Sequence, residues 1–103
     1  MMNPKIATML GFAMRSRNID TGEVLCKRGI QTHKISLLFI ASDISEETGL
    51  RMKALCDEMQ VRYIDTYNRD ELSQAIGKEN RTLVGITSKK FSREILTLHE
   101  QSL

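Results

Sequence analysis

The sequence lacks any apolar run as long as the roughly 18 to 20 residues of a membrane-spanning helix. Its N-terminus also lacks the basic segment, apolar stretch and small-residue cleavage site that form a secretory signal. Cysteine is scarce: Cys26 and Cys56 have neither CxxC spacing nor clustered histidines, which argues against a zinc site or a disulfide framework. We therefore expect a cytoplasmic protein, outside the membrane, with two buried and reduced thiols.

The motifs of common catalytic and nucleotide-binding domains are also absent, including GxxxxGKS/T, GxGxxG, GxSxG and HExxH. The two histidines, His33 and His99, lie far apart in sequence, so surface positions are expected for both. Asp43 follows an apolar segment as a phosphoacceptor would, but the acids before it follow no adequate strand that could present them to magnesium. Asp43 is expected instead to cap the next helix. We expect no enzymatic activity, no cofactor and no bound metal.

What is present is the composition of an ordinary globular domain. The 103 residues are 41% hydrophobic and 27% charged, with one proline and six glycines, and we predict a single domain over 1–103. The formal net charge is only +2, but residues 1–34 carry an excess of four positive charges, whereas five acids lie within 43–58. This asymmetry favours a protein that presents one basic face to a polyanion.

Helix signals recur along the chain. Asn3 and Pro4 predict an N-cap and a first helical position. Residues 20–23 have the spacing of a capping box before a second helix, and residues 68–71 repeat it before a short helix that ends at Gly77. Two further helices are expected after Asp43 or Ser45 and after Ser88.

Strand signals alternate with these helices. Residues 35–41 are almost entirely apolar, which is typical of a central strand covered on both faces, and shorter strands are predicted at 18–19, 61–65 and 82–87. The alternation predicts an α/β fold, a three-layer α/β/α sandwich with a roughly four-stranded mixed sheet and about five helices. Six residues are expected to be buried: Leu37, Phe39, Leu55, Ile64, Val84 and Ile95.

Two basic segments are candidate binding sites. Gly22 lies in the first turn of the predicted second helix, where outward-pointing N–H groups and the helix dipole would allow a phosphate to approach closely. The other segment is the polar loop 76–81, with the sequence Ile-Gly-Lys-Glu-Asn-Arg and cations at both ends. Four basic residues are near enough in sequence to surround the first site: Arg15, Arg17, Lys27 and Arg28.

Taken together, these segments resemble a known family in order and spacing. The shared features are a helix that ends in a basic turn, Thr-Gly-Glu at 21–23, an apolar strand that runs into Ala-Ser-Asp at 41–43, and the loop at 76–81. From about Pro4 to Leu98 the chain is similar to the bacterial YlxQ-like ribosomal proteins of the L7Ae family. The resemblance implies a non-enzymatic, three-layer α/β/α domain that binds structured RNA such as ribosomal RNA or the sharply bent kink-turn, in association with the ribosome.

The resemblance also implies where the RNA binds. In the family a glycine at the second helix approaches the RNA backbone, an Asn-Glu pair reads guanine edges, a basic residue follows, and a late loop packs on a flipped-out nucleotide. Gly22 matches the glycine and Arg28 the basic position, whereas Val24 and Leu25 replace the Asn-Glu pair and cannot make its hydrogen bonds. Reduced kink-turn specificity is therefore expected. The expected RNA-binding residues are Arg15, Arg17, Asn18, Gly22, Glu23, Lys27, Arg28, Lys78 and Arg81.

An alternative function stays open on the same fold, a protein-interaction module whose basic face docks an acidic partner. One geometric feature separates the two hypotheses. RNA binding requires Gly22 and the loop 77–81 to lie side by side in a single positive patch, because on opposite faces they would form no common site.

Overall fold

The computed structural model describes residues 1–102, which form five helices and one four-stranded mixed sheet. The predicted α/β fold class is confirmed. In chain order the elements are α1 (Pro4–Arg15), β1 (Ile19–Thr21), α2 (Glu23–Gln31), β2 (Leu37–Ile40), α3 (Glu46–Met59), β3 (Arg62–Ile64), α4 (Arg69–Ile76), β4 (Leu83–Ile86) and α5 (Lys89–Gln101). Within residues 1–102, no helix combines the length and apolar character needed to cross a membrane.

The sheet has the strand order β1-β4-β2-β3. β2 and β3 are parallel, and β4 is antiparallel to both of its neighbours. β1, β2 and β3 therefore all end where β4 begins. We call this end of the sheet, marked by Gly22, Ala41 and Leu83, the Gly22 end. The opposite end, marked by Asn18 and Thr87, is the Asn18 end.

Helices cover both faces of the sheet. α1, α4 and α5 pack on one face against Leu37, Phe39 and neighbouring side chains, and α2 and α3 pack on the other against Leu38 and Ile40. Successive side chains of a strand point to opposite faces, so β2 contributes to both clusters and is buried along its whole length. The continuous apolar run at 35–41 was thus correctly interpreted as a central strand.

One of the six predicted core residues is not fully buried. Leu55 is only half-buried, whereas Met52 and Cys56 of the same helix are inaccessible to solvent. Met52 and Cys56 are four residues apart and occupy the centre of the inward stripe. Leu55 lies beside that stripe and packs at the margin of the cluster.

Most of the predicted helix caps are present. Asn3 accepts a hydrogen bond from the Lys5 N–H at 2.8 Å, and Asn68 and Glu71 form the predicted capping box. Ser45 and Ser88 likewise accept from the third residue after them. These local interactions explain why the helix starts could be read from the sequence.

Two predicted caps were wrong. The capping box at 20–23 does not form, because Asp20 is held in β1 opposite Gly85 and the N-cap is Gly22, which has no side chain to accept a bond. Asp43 does not cap α3, whose N-cap is Ser45. Its carboxylate instead accepts a bond from the backbone N–H of Arg69, at the start of α4.

The two cysteines are free and buried within the α2–α3 side of the fold. Desolvation is the main cause that raises the pKa of the Cys26 thiol from 9.0 to about 12 and that of Cys56 to about 11. Because the thiolate is the reactive form, native protein at pH 7.5 should react with an alkylating reagent far more slowly than protein unfolded in urea. Equal labelling rates in the two states, followed by mass spectrometry, would contradict this placement.

The same pKa shifts predict how stability depends on pH. A thiol whose pKa is higher in the folded state favours folding fully below the unfolded value near 9, and this contribution is lost as the pH rises towards 11 to 12. Urea unfolding should therefore show a lower free energy of unfolding at pH 10 than at pH 7.5. In a Cys26→Ala variant the difference between the two pH values should shrink.

Candidate functional site

Gly22 forms the turn between β1 and α2. Its φ of 87° and ψ of 160° lie in a region essentially restricted to glycine. Its N–H donates to the carbonyl of Leu83 at 3.2 Å, which holds the turn against the start of β4. A Cβ placed at Gly22 would meet no atom within 4 Å. The space beside Gly22 is therefore unobstructed, at the point where the first N–H groups of α2 have no partners within the helix.

The loop 77–81 lies beside this turn. It leads through Thr82 into Leu83, the residue that accepts the Gly22 bond, and the Thr21 position pairs with Val84. Both segments are therefore at the Gly22 end of the sheet, next to each other. This is the arrangement that the RNA-binding hypothesis required.

Several hydrogen bonds fix the shape of this loop. Gly77 adopts the left-handed conformation that ends α4, with φ 69° and ψ 33°. The hydroxyl of Ser73 accepts from the Arg81 N–H at 2.8 Å, and the Arg81 guanidinium donates to the Glu79 carbonyl at 2.8 Å. The side chain of Arg81 is thus engaged within the loop, with its Nε buried and without a partner among the described atoms. Lys78 is the cation that the loop presents to solvent.

Arg69 connects the loop to the start of α3. Its side chain donates to Oδ2 of Asp43 at 3.3 Å and to the Asp43 carbonyl at 2.9 Å, and also to Oδ1 of Asn80 at 3.2 Å. Bonds from Arg69, led by its backbone N–H, hold the pKa of Asp43 below its usual value. Three segments at the Gly22 end are therefore fastened together by one guanidinium.

The outward face of α2 combines apolar and basic side chains. Val24 is 78% exposed and Leu25 48% exposed. Lys27 and Arg28 are exposed and follow Val24 by three and four residues, so all three share one face of the helix. We call the set formed by Gly22, Lys27, Arg28, Lys78 and Arg81 the Gly22 surface.

Glu23, the first residue of α2, is engaged in an ion pair. Its Oε2 accepts from Nη2 of Arg51 at 2.6 Å and from Nε at 3.1 Å, and Arg51 also approaches Glu47 at 3.7 Å. The pair raises the pKa of the Arg51 guanidinium. The acidic side chain nearest to the open helix start is therefore neutralised by a cation from α3.

Three predicted site residues lie elsewhere. Arg17 and Asn18 precede β1 at the Asn18 end, with the whole of β1 between them and Gly22. Arg15, at the end of α1, stacks over the Phe12 ring at 5.0 Å and lines a cleft between α1 and α4. α1, which carries Arg15, lies on the opposite face of the sheet from α2. Proximity in sequence did not translate into a common site.

Sequence reasoning missed Arg51 and Arg69. Their partners are 28 and 26 residues away, so no local spacing could have revealed either contact. Among residues 1–102, no group of three or more His, Cys, Asp and Glu side chains could hold a metal ion. The Gly22 surface thus offers cations, open backbone N–H groups and an exposed apolar face, which suit a phosphate-rich ligand.

Comparisons with known proteins agree with this architecture. The model of the ribosomal protein L7Ae/L30e/S12e/Gadd45 family matches residues 4–96. An RNA-binding protein YlxQ from Bacillus subtilis (strain 168) is 30% identical over 90 residues, which cover 87% of this chain and 90% of that protein. The RNA-binding protein YlxQ from Enterococcus faecium is 31% identical over 96 residues, covering 93% and 92% of the two chains.

Solved structures show the same fold. A protein with unknown function from Bacillus halodurans superimposes with a TM-score of 0.89 at 30% identity, covering 93% of this chain and 97% of that chain. The Giardia lamblia 15.5kD RNA binding protein gives a TM-score of 0.81 over 100% of this chain and 94% of that one. At 17% identity the second likeness concerns the fold alone.

Proposed function

The chain belongs to the ribosomal protein L7Ae/L30e/S12e/Gadd45 family, and from this premise we propose that it is a non-enzymatic protein that binds structured RNA in the cytoplasm, in association with the ribosome. The observation that carries the proposal is the open helix start at Gly22 beside the loop 77–81. Both relatives named above are RNA-binding proteins of nearly the same length.

The proposed contacts are mainly to phosphates. The N–H groups of the first turn of α2 and the positive end of its dipole favour an anion near Gly22. Lys27 and Arg28 extend this potential along α2, and Lys78 extends it onto the loop. Arg81 acts chiefly by shaping the loop, since its guanidinium donates to the Glu79 carbonyl.

We further propose that a kink-turn is bound with only modest preference. Val24 and Leu25 can contact base or sugar surfaces but cannot pair with guanine edges. Glu23 cannot easily replace the missing acid, because its carboxylate accepts two bonds from Arg51. Backbone contacts position an RNA without selecting its sequence, so the bent shape and the phosphates would dominate recognition.

A titration against three RNAs of equal length tests this proposal. With a kink-turn, a straight duplex and a single strand, we expect binding in that order of affinity, with less than about tenfold between the first two since no bidentate base contact contributes. Fluorescence anisotropy at one fixed salt concentration provides the measurement. If the protein binds none of the three RNAs, the proposal is wrong. An acidic protein partner on the same surface would then be the hypothesis to test.

A further inference from the structure

The Asn18 end of the sheet carries a second basic surface. Residues 15–19 and 86–93 contain five cations and no carboxylate, and Glu94 is the first acid after them. Four of these cations form what we call the distal surface: Arg17, Lys89, Lys90 and Arg93. The fifth, Arg15, lines the cleft between α1 and α4 together with Glu71.

Two contacts bring these segments together. The Thr87 N–H donates to the Asn18 carbonyl at 2.9 Å, which places the start of α5 next to the turn that contains Arg17. α1 and α5 also run antiparallel: Asn3 donates to Ser102 at 2.8 Å at one end, and Met9 lines a groove together with Arg93 and Leu98, which lie nearer the start of α5. The end of α1 therefore lies near the start of α5.

The basic side chains of the molecule differ in whether a carboxylate lies within 4.0 Å. Five of the 15 basic side chains have a carboxylate within 4.0 Å among residues 1–102: Lys34, Arg51, Lys53, Arg62 and Arg69. Of the other ten, four belong to the Gly22 surface and four to the distal surface, and the remaining two are Lys5 and Arg15. The cations without a carboxylate partner are therefore concentrated at the two ends of the sheet.

Lys89 and Lys90 are at positions where a positive charge does not stabilise the helix. They are the first two residues of α5, where the helix dipole is positive, and the first turn contains no acidic residue. Of the acids at this end, Asp20 is paired with Lys34 at 3.2 Å. Asp57 and Glu58 end α3 beside β3, at the other edge of the sheet. Both lysines are exposed and have no carboxylate within 4.0 Å among residues 1–102, and Glu94, four residues after Lys90, is the nearest acid on their helix.

We propose that the distal surface binds the phosphate backbone of a second RNA helical segment, so that one protein molecule contacts RNA at both ends of its sheet. The inference rests on the proposed function, which brings RNA to the Gly22 surface. The molecule measures 29 × 26 × 26 Å, and one duplex turn spans roughly 34 Å. A helical arm of about one turn is therefore long enough to reach from one end to the other.

The test compares a kink-turn RNA with short arms and one with arms lengthened by about one turn. For the unmodified protein we expect the longer RNA to bind about tenfold more tightly, since two or three additional phosphates are neutralised. In the double variant Lys89→Glu with Lys90→Glu this gain should fall to within about twofold. Binding of the short RNA should change little, because the segment from Leu83 to Thr87 alone separates the two ends by about 13 Å, more than the screening length of about 8 Å at physiological salt.

A parallel assay adds a separately labelled straight duplex to the complex with the short RNA. If a ternary complex forms and is lost in the double variant, the second helical segment can come from a separate RNA. If only the longer RNA shows a gain in affinity and no ternary complex forms, the segment belongs to the same RNA.

Lys90→Glu and Lys5→Glu form a matched pair of variants, since both residues are the second of their helix. Only Lys90→Glu should reduce the gain in affinity from the longer RNA. Glutamate is favoured at a helix start, so the melting temperature of the variants should not fall.

The possible failures are distinguishable. An unmodified protein that binds neither kink-turn RNA contradicts the proposed function. If the unmodified protein binds the short RNA, binds the long RNA no more tightly and forms no ternary complex, only the inference about the distal surface is wrong. The inference is also wrong if the double variant still binds the long RNA about tenfold more tightly than the short RNA.

Discussion

The affinity for a kink-turn RNA is expected to fall roughly 60- to 1,000-fold when salt is raised from about 50 to 200 mM. Neutralising about four to six phosphates gives a log-log slope of roughly −3 to −5, because each contact releases counterions from the RNA. The Gly22 surface supplies the cations for most of these contacts, and α2 adds its open N–H groups. Titrations at four or five salt concentrations, with short RNA arms, measure the slope directly.

Single substitutions measure how much individual residues contribute to this salt dependence. Lys27→Ala and Arg28→Ala should each lower its magnitude by about one and weaken all RNAs alike. Both side chains are exposed and have no carboxylate within 4.0 Å among residues 1–102, so their loss should leave the fold intact. Lys5→Ala is the control and should leave the slope unchanged, because it removes an exposed cation from α1, on the opposite face of the sheet from α2. Tight binding with little salt dependence would mean that the recognition contacts are misplaced.

The elements that could be predicted depend on local signals. The strand at 35–41 was recognisable because an uninterrupted apolar run has few alternatives in a short chain, and the caps at Asn3 and Asn68 act within three residues. The start of α2 was predicted wrongly. Residues 20–23 have the sequence of a capping box, but Asp20 and Thr21 are extended because they pair with β4, and Gly22 is the N-cap.

The candidate site was predictable only in part for the same reason. Gly22 and the loop 77–81 were identified from composition and resemblance, yet their adjacency depends on the pairing of β1 with β4 across more than 60 residues. The contacts of Glu23 with Arg51 and of Asp43 with Arg69 also lie beyond any local spacing, at 28 and 26 residues. Arg17 shows the opposite error, since a short strand separates it from a glycine only five residues away.

The largest gain is expected from restoring the base-reading pair of the family at α2. Val24→Asn with Leu25→Glu should raise the preference for kink-turn over straight duplex by roughly 5- to 150-fold, since a bidentate base contact contributes about 1–3 kcal/mol of discrimination. Neither residue anchors the core, because Val24 is 78% and Leu25 48% exposed. An additional acid in the first turn of a helix is also compatible with the dipole.

The control is the same pair in reversed order, Val24→Glu with Leu25→Asn. Both double variants have the same composition and net charge, so electrostatic weakening of RNA binding affects them equally. Residues 24 and 25 point about 100° apart around the helix, however, and only the first variant places the amide and the carboxylate as the family does. Equal ratios of kink-turn to duplex affinity in the two variants would show that residues 24 and 25 do not approach guanine edges. Glu23, released from Arg51, would then be the acid to examine.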